Sequence, residues 1–274
     1  FSGPVAASNN ARILLFDADD GDLPFDGLND HFSTSDGTEV PWIEALDAVG
    51  ELYCVSDTLP SDLSPFELVI YLGGIRTFGD GALNIKLTDE EATAITGFID
   101  GGGSVYVEEP GFGTAYYVGG TAATMELWNR FHATYESGNA AATGNVQTLT
   151  GDGSQLMQGL TFQYDYQGLP DQWVGKVSPD GTPGSSRIWF DQSSDDRGTL
   201  YVDPVTGANL YMVPVLLGGM SDGAYPSTRL EHVTRVLSNT GLLGTAGVDE
   251  WSNGPAARLA QNAPNPFNPT TTIR

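Results

Sequence analysis

The chain has 274 residues, 35 of them acidic and 11 basic, for a formal charge of −24. A polyanion is repelled by nucleic acid and by anionic membrane surfaces, so the composition speaks against both partners. A hydrophobic content of 40% is enough to build a sizeable core, and no apolar run approaches the ~20 residues that span a bilayer.

Residues 1–10 are small and polar and read as an extended arm. The first residue is Phe1 rather than Met, which fits either removal of a leader or a fragment. Arg12 to Phe16 is the first predicted strand, and it runs into an acidic stretch holding Asp17, Asp19, Asp20 and Asp22. Gly37 to Val49 carries a helix, with Pro41 suited to its first turn and Trp42, Leu46 and Val49 at helical spacing. Glu51 to Ser56 reads as a second, buried strand. It contains Cys54, the only cysteine, which is expected to be a structural thiol and leaves no intrachain disulfide.

Leu68–Leu72 is a short apolar run closed by Gly73 and Gly74, as suits a strand buried on both faces. Thr88 then opens a helix, with Glu91 completing a capping box and Ala92, Ile95 and Ile99 forming one apolar stripe. Gly101–Gly103 ends it, and Ser104 to Val107 is the next strand. A strand–helix–strand unit of this kind makes the two strands parallel. Further on, Thr121 to Tyr135 reads as a helix. Residues 146–209 hold short aromatic runs between Pro, Gly and Asp turns, and form a β-rich insertion. Leu210–Leu217 is another buried strand and Pro226–Asn239 a last helix. Residues 245–258 read as a linker. In the segment 259–274, Pro264, Pro266 and Pro269 enforce extended geometry before Thr270, Thr271, Thr272 and Ile273 open a strand with no local partner.

The predicted architecture is therefore α/β, a mostly parallel sheet flanked by helices, over residues 1–244. The alternation carried by Arg12–Asp17, Glu67–Gly74, Gly102–Glu109 and the Pro226–Leu243 helical segment resembles the class I glutamine-amidotransferase-like or ThuA-like domains of flavodoxin type. The segment LAQNAPNPFNPTTTIR resembles the first strand of the FlgD-like immunoglobulin or sorting domain found at the end of many proteins exported by type IX secretion. The rest of that domain is missing, so no intact sandwich is expected within this chain.

The amidotransferase resemblance implies a cysteine on a sharp strand-to-helix elbow and a histidine late in the chain. The elbow would follow Val107, where the sequence offers Glu108-Glu109-Pro110-Gly111, and the loop after Leu217 holds no histidine. That activity is expected to be lost and the chain to be non-catalytic. The three histidines, His31, His132 and His232, share no metal-ligand spacing. His132 and His232 are read as surface or packing residues. Asp17, Asp19, Asp20 and Asp22 form either a solvated turn or a Ca²⁺ site, although Gly21 departs from an EF-hand loop. Asp17, Asp19, Gly73, Gly74, Glu108, Glu109 and Phe112 would share the rim at the carboxyl ends of the strands, where open α/β sheets bind ligands.

The leading expectation is a secreted bacterial surface protein, rich in Gly, Ser, Thr and Asp and poor in lysine. It would self-associate or join other surface proteins into a filament or array, with Pro264, Phe267 and Thr270–Ile273 as the assembling segment. A module binding glycans or small ligands at the rim is the alternative, with Phe112, Tyr116 and Tyr117 as aromatics that could stack on sugars. A third reading is a hydrolase using Glu108 and Glu109.

Overall fold

The computed structural model describes residues 11–18, 38–74, 87–137, 146–153, 156–164 and 174–243. The linker 245–258, the assembling segment with Pro264, Phe267 and Thr270–Ile273, and His31, Asp19, Asp20 and Asp22 lie outside them.

The first half alternates as its sequence pattern demands. β1 (Ile13–Asp17) leads to α1 (Val40–Val49), β2 (Tyr53–Ser56), β3 (Leu68–Leu72), α2 (Asp89–Asp100) and β4 (Ser104–Glu108). Every residue of β1, β3 and β4 is buried, because helices cover both faces of a parallel sheet. At α2 the capping box is complete. Thr88 accepts from the Glu91 N–H at 3.2 Å and Glu91 Oε2 accepts from the Thr88 N–H at 2.8 Å, a cap contributing about 1 kcal/mol. Gly102, at φ +95°, takes the left-handed turn that frees the chain for β4.

A π-helix over Gly113–Val118 precedes α3 (Ala122–Arg130) and β5 (Ala133–Ser137). The helix expected as far as Tyr135 stops short, since His132 adopts φ +47°, which no helix accommodates. β6 (Thr148–Gly151), β7 (Thr161–Tyr164), β8 (Lys176–Pro179), β9 (Ser185–Asp191) and β10 (Asp196–Val202) follow. β11 (Asn209–Val213), the two-residue β12 (Met220–Ser221) and α4 (Arg229–Asn239) complete the described chain.

The main sheet runs β12-β7-β6-β9-β10-β11-β4-β3-β1-β2, with β5 and β8 attached through β10. Pairing is parallel from β2 to β11 and turns antiparallel at β10. The β-rich segment thus extends the same sheet. One face buries Trp42, Leu46, Val233 and Leu237 beneath α1 and α4. The other buries Ile95, Ile99, Leu127 and Trp128 beneath α2 and α3. β2 differs from expectation. Among the described residues it pairs with β1 alone, and only Cys54 of its residues is buried, while the preceding Leu52 is 53% exposed. As the sheet's edge it cannot be covered as the central strands are.

Candidate functional site at the carboxyl rim

The chain steps from β1 to β2 on one side and returns to β3 on the other. That reversal falls at the carboxyl ends of β1 and β3, the place where open α/β sheets accept ligands. Asp17, Ala18, Leu72 and Gly73 stand at this end, the mouth of the sheet. The Ala18 N–H donates to the Leu72 carbonyl at 2.9 Å, and the Gly73 N–H donates to the Glu108 carbonyl at 3.0 Å.

Beside the mouth, β4 ends in two fully buried carboxylates, Glu108 and Glu109. Neighbours on a strand point to opposite faces, and each carboxylate has its own donor. On the α1 side, Trp42 Nε1 donates to Glu108 Oε2 at 2.8 Å. On the α2 side, the Tyr71 hydroxyl donates to Glu109 Oε2 at 3.0 Å. The Tyr71 and Tyr116 hydroxyls are 3.1 Å apart, and the Leu87 N–H donates to Tyr116 at 3.1 Å. A carboxylate removed from water costs several kcal/mol unless it is hydrogen-bonded, so these donors are part of what lets the pair exist there. The two do not present carboxyl groups on one face.

The rim therefore brings together Asp17, Gly73, Gly74, Glu108 and Glu109. Phe112 and Tyr116, read as candidate stacking surfaces, belong to the core. Phe112 packs against Tyr116 at 4.4 Å between centroids and against Trp128 at 6.0 Å. Tyr117 is the exposed one of the three, at 44%. Among the described residues no group of His, Cys, Asp and Glu is disposed to hold a metal ion. The Gly73 N–H is committed to Glu108, and the Glu109 carboxylate fills the space above Gly73, where a Cβ would overlap it. Gly73 therefore offers neither its N–H nor open space to an anion.

The chain turns after β4 through Glu109–Phe112 into the π-helix, and no cysteine stands there. Cys54 lies in β2 with its thiol pushed up by burial. His232 is fully buried on α4, with Nε2 3.0 Å from the Tyr106 hydroxyl and its ring stacked on Trp189. Burial pushes its pKa down to about 3, with a smaller contribution from Arg235. His132 is half-buried, with Nδ1 3.0 Å from Asp180. Among the described residues no Cys–His pair is formed.

Sequence reading missed Trp42 and Tyr71 as partners of the carboxylates, and Tyr116 as a partner of Tyr71. A signal existed for Tyr71. A tyrosine inside a wholly apolar strand must place its hydroxyl on a polar partner. A separate groove of about 650 Å³ opens at the opposite end of the strands, against Glu67, Ser104, Asn209 and the glycines 101–103. It is remote from the carboxylates, and Asn209 in its wall already bonds the Gly207 and Asn239 carbonyls.

No protein-family model matches the sequence, and no curated protein matches it. Solved structures do. A cold-adapted β-galactosidase from Rahnella sp. R3 is 15% identical at a TM-score of 0.52, over 85% of this chain and 32% of that one. The mmIFT52 N-terminal domain is 12% identical at a TM-score of 0.51, over 85% of this chain and 98% of that domain. A glutamine amidotransferase from Methylobacillus flagellatus is 10% identical at a TM-score of 0.45, over 86% and 91%. The chain thus spans about a third of the β-galactosidase and nearly all of the mmIFT52 domain.

At these identities the likeness is one of fold, and it supports the α/β class. It also corrects the expectation of a non-catalytic chain. Among the solved structures sharing the fold is an enzyme, the β-galactosidase, and the missing Cys–His pair removes one chemistry only. What the comparisons support is the α/β fold class.

Proposed function

We propose that this chain is a carbohydrate-directed module that takes a polyhydroxylated ligand at the mouth between β1 and β3. The observation that carries the reading is the pair of fully buried, hydrogen-bonded carboxylates, Glu108 and Glu109, ending the strand beside that mouth. Buried ionisable groups are costly and concentrate at working sites. Carboxylate oxygens accept from sugar hydroxyls. The β-galactosidase with the same fold lends the sugar class to the proposal. Glycan-array binding by the intact chain, lost in Glu109→Gln, is the expected result. A variant that binds as the parent does would remove the site.

A second reading has one observation in its favour, the edge position of β2, which pairs with β1 alone among the described residues. An edge strand can accept an added strand. We propose on this basis that an exported form self-associates or joins other surface proteins, through Pro264, Phe267 and Thr270–Ile273 as the added segment, in line with the FlgD-like resemblance. Electron microscopy of the chain without residues 259–274 tests it. Assemblies that persist unchanged would dismiss the segment's role.

A further inference from the structure

We infer that the groove at the amino ends of the strands is a second ligand site, one that takes a small protonated primary amine carrying an apolar body. The groove is remote from Glu108 and Glu109, so the inference does not depend on the carbohydrate reading of the mouth.

Its charge preference comes from two helix ends and two acids. α2 is capped by Gly101 and α4 by Thr240, and both caps stand in the groove's wall. The C-terminus of a helix is the negative end of its dipole, where a cation is stabilised. Neither helix has a basic residue in its last turn to answer that charge. Asp62 and Glu67 also line the groove, and no lysine or arginine among the described residues does. Glu67 is already held by Arg12 Nε and Nη2 at 2.7 and 2.6 Å. Asp62 accepts from the Ser64 N–H at 2.9 Å and meets no cation among the described residues. Arg130 reaches the end of α2, but it pairs with Asp100 and Glu126, and none of the three lines the groove.

The apolar body follows from Phe98. Its ring lies against Gly103, where a Cβ would overlap it, and lines the groove. An ammonium group gains from an aromatic face, and an apolar stem gains from leaving water beside it. Ser104 supplies a polar group in the same wall. It is buried, and its Oγ accepts from the Asn209 N–H at 3.1 Å. A hydroxyl oxygen has a second lone pair, which can accept from an N–H of the ligand. The volume of about 650 Å³ is that of a small-molecule site. Gly97 keeps the groove open, since a Cβ there would meet nothing within 4 Å.

The test is a titration of the full chain, labelled with ¹⁵N, with phenethylammonium chloride at neutral pH, followed at the amides of Gly97, Gly101 and Ser104. A saturable shift at these amides is expected. Phenethyl alcohol, with the same body and no charge, should bind about tenfold more weakly, the combined worth of the helix ends and the ring face. Phenylacetate should not saturate. Gly97→Leu puts a side chain into the open space and favours the helix it sits in, so it keeps the fold and should abolish the shift. Asp62→Asn should weaken binding by about two- to fivefold, as for an exposed charge contact. Equal affinity for phenethylammonium and phenylacetate, an affinity unchanged in Gly97→Leu or in Asp62→Asn, or no saturable shift at these amides would each overturn the inference. The glycan array reports on the mouth alone and leaves this titration standing.

Discussion

Gly73 and Glu109 occupy one space. The carboxylate of Glu109, on β4's turn, sits where a side chain at position 73 on the neighbouring strand's end would be. A side chain added at position 73 cannot enter without displacing Glu109 or shifting the backbone.

Gly73→Ala is the direct probe. The added methyl overlaps the Glu109 carboxyl, so the acid must leave its place beside Tyr71 or the backbone must shift. Overpacking of this kind costs about 1–3 kcal/mol. Urea unfolding should show that loss, and ligand binding at the rim should fall with it. A stable variant that binds normally would show that Glu109 has room to spare.

Trp42→Phe tests the other face. It keeps an aromatic ring beside Tyr106 but withdraws the Nε1–H that Glu108 accepts at 2.8 Å. Removing a donor from a buried charge costs about 1–3 kcal/mol, besides the smaller ring's lost packing. In a Glu108→Gln background the same substitution should cost less, because the neutral amide needs the donor less. Chemical denaturation of the two single variants and the double variant gives that coupling.

The strands and the caps were legible because each is a local matter. Thr88 and Glu91 make their own capping box, and five apolar residues between polar turns make β3 wherever they lie. The candidate site was half legible. Glu108 and Glu109 stand out at a strand end, yet their donors come from Trp42, 66 residues away, and Tyr71, 38 away. Nothing in local periodicity reports contacts so remote in sequence. Phe112 was misplaced for a related reason. A residue just past a strand looks like rim until the π-helix after it folds the ring under Trp128.

The β-rich extension depends on one buried ion pair. Arg197 and Asp191 are both fully buried; Nε and Nη2 reach Asp191 Oδ2 at 2.9 and 2.8 Å, while Nη1 donates to the Val174 and Gly175 carbonyls at 2.8 and 3.1 Å. The guanidinium thus ties β9 and β10 to the chain entering β8. Asp191→Ala takes the nearer carboxylate from a buried cation, leaving Asp195 at 3.9 Å, and a loss of about 3–5 kcal/mol is expected in denaturant. Arg197→Met with Asp191→Leu removes both charges and should recover much of it. Equal losses in the single and double variants would mean that the pair's charges are not what matters.

His232 sets how stability responds to acid. Its folded pKa lies near 3, against an ordinary value of 6.5, because burial among Trp42, Tyr106 and Trp189 disfavours the imidazolium. Between those two values the unfolded chain binds a proton at this residue and the folded chain does not. Stability must therefore fall as pH drops below about 6.5, by roughly 2–3 kcal/mol at about pH 4.5 from this group alone. The exposed carboxylates with lowered pKa, Glu67, Asp100 and Asp203, release their own contributions only at lower pH. His232→Phe should flatten the profile between pH 6.5 and 4.5 whatever it does to absolute stability, since the slope reads protons and not packing. Urea midpoints across that range measure it. Parallel slopes for parent and variant would place the acid sensitivity elsewhere.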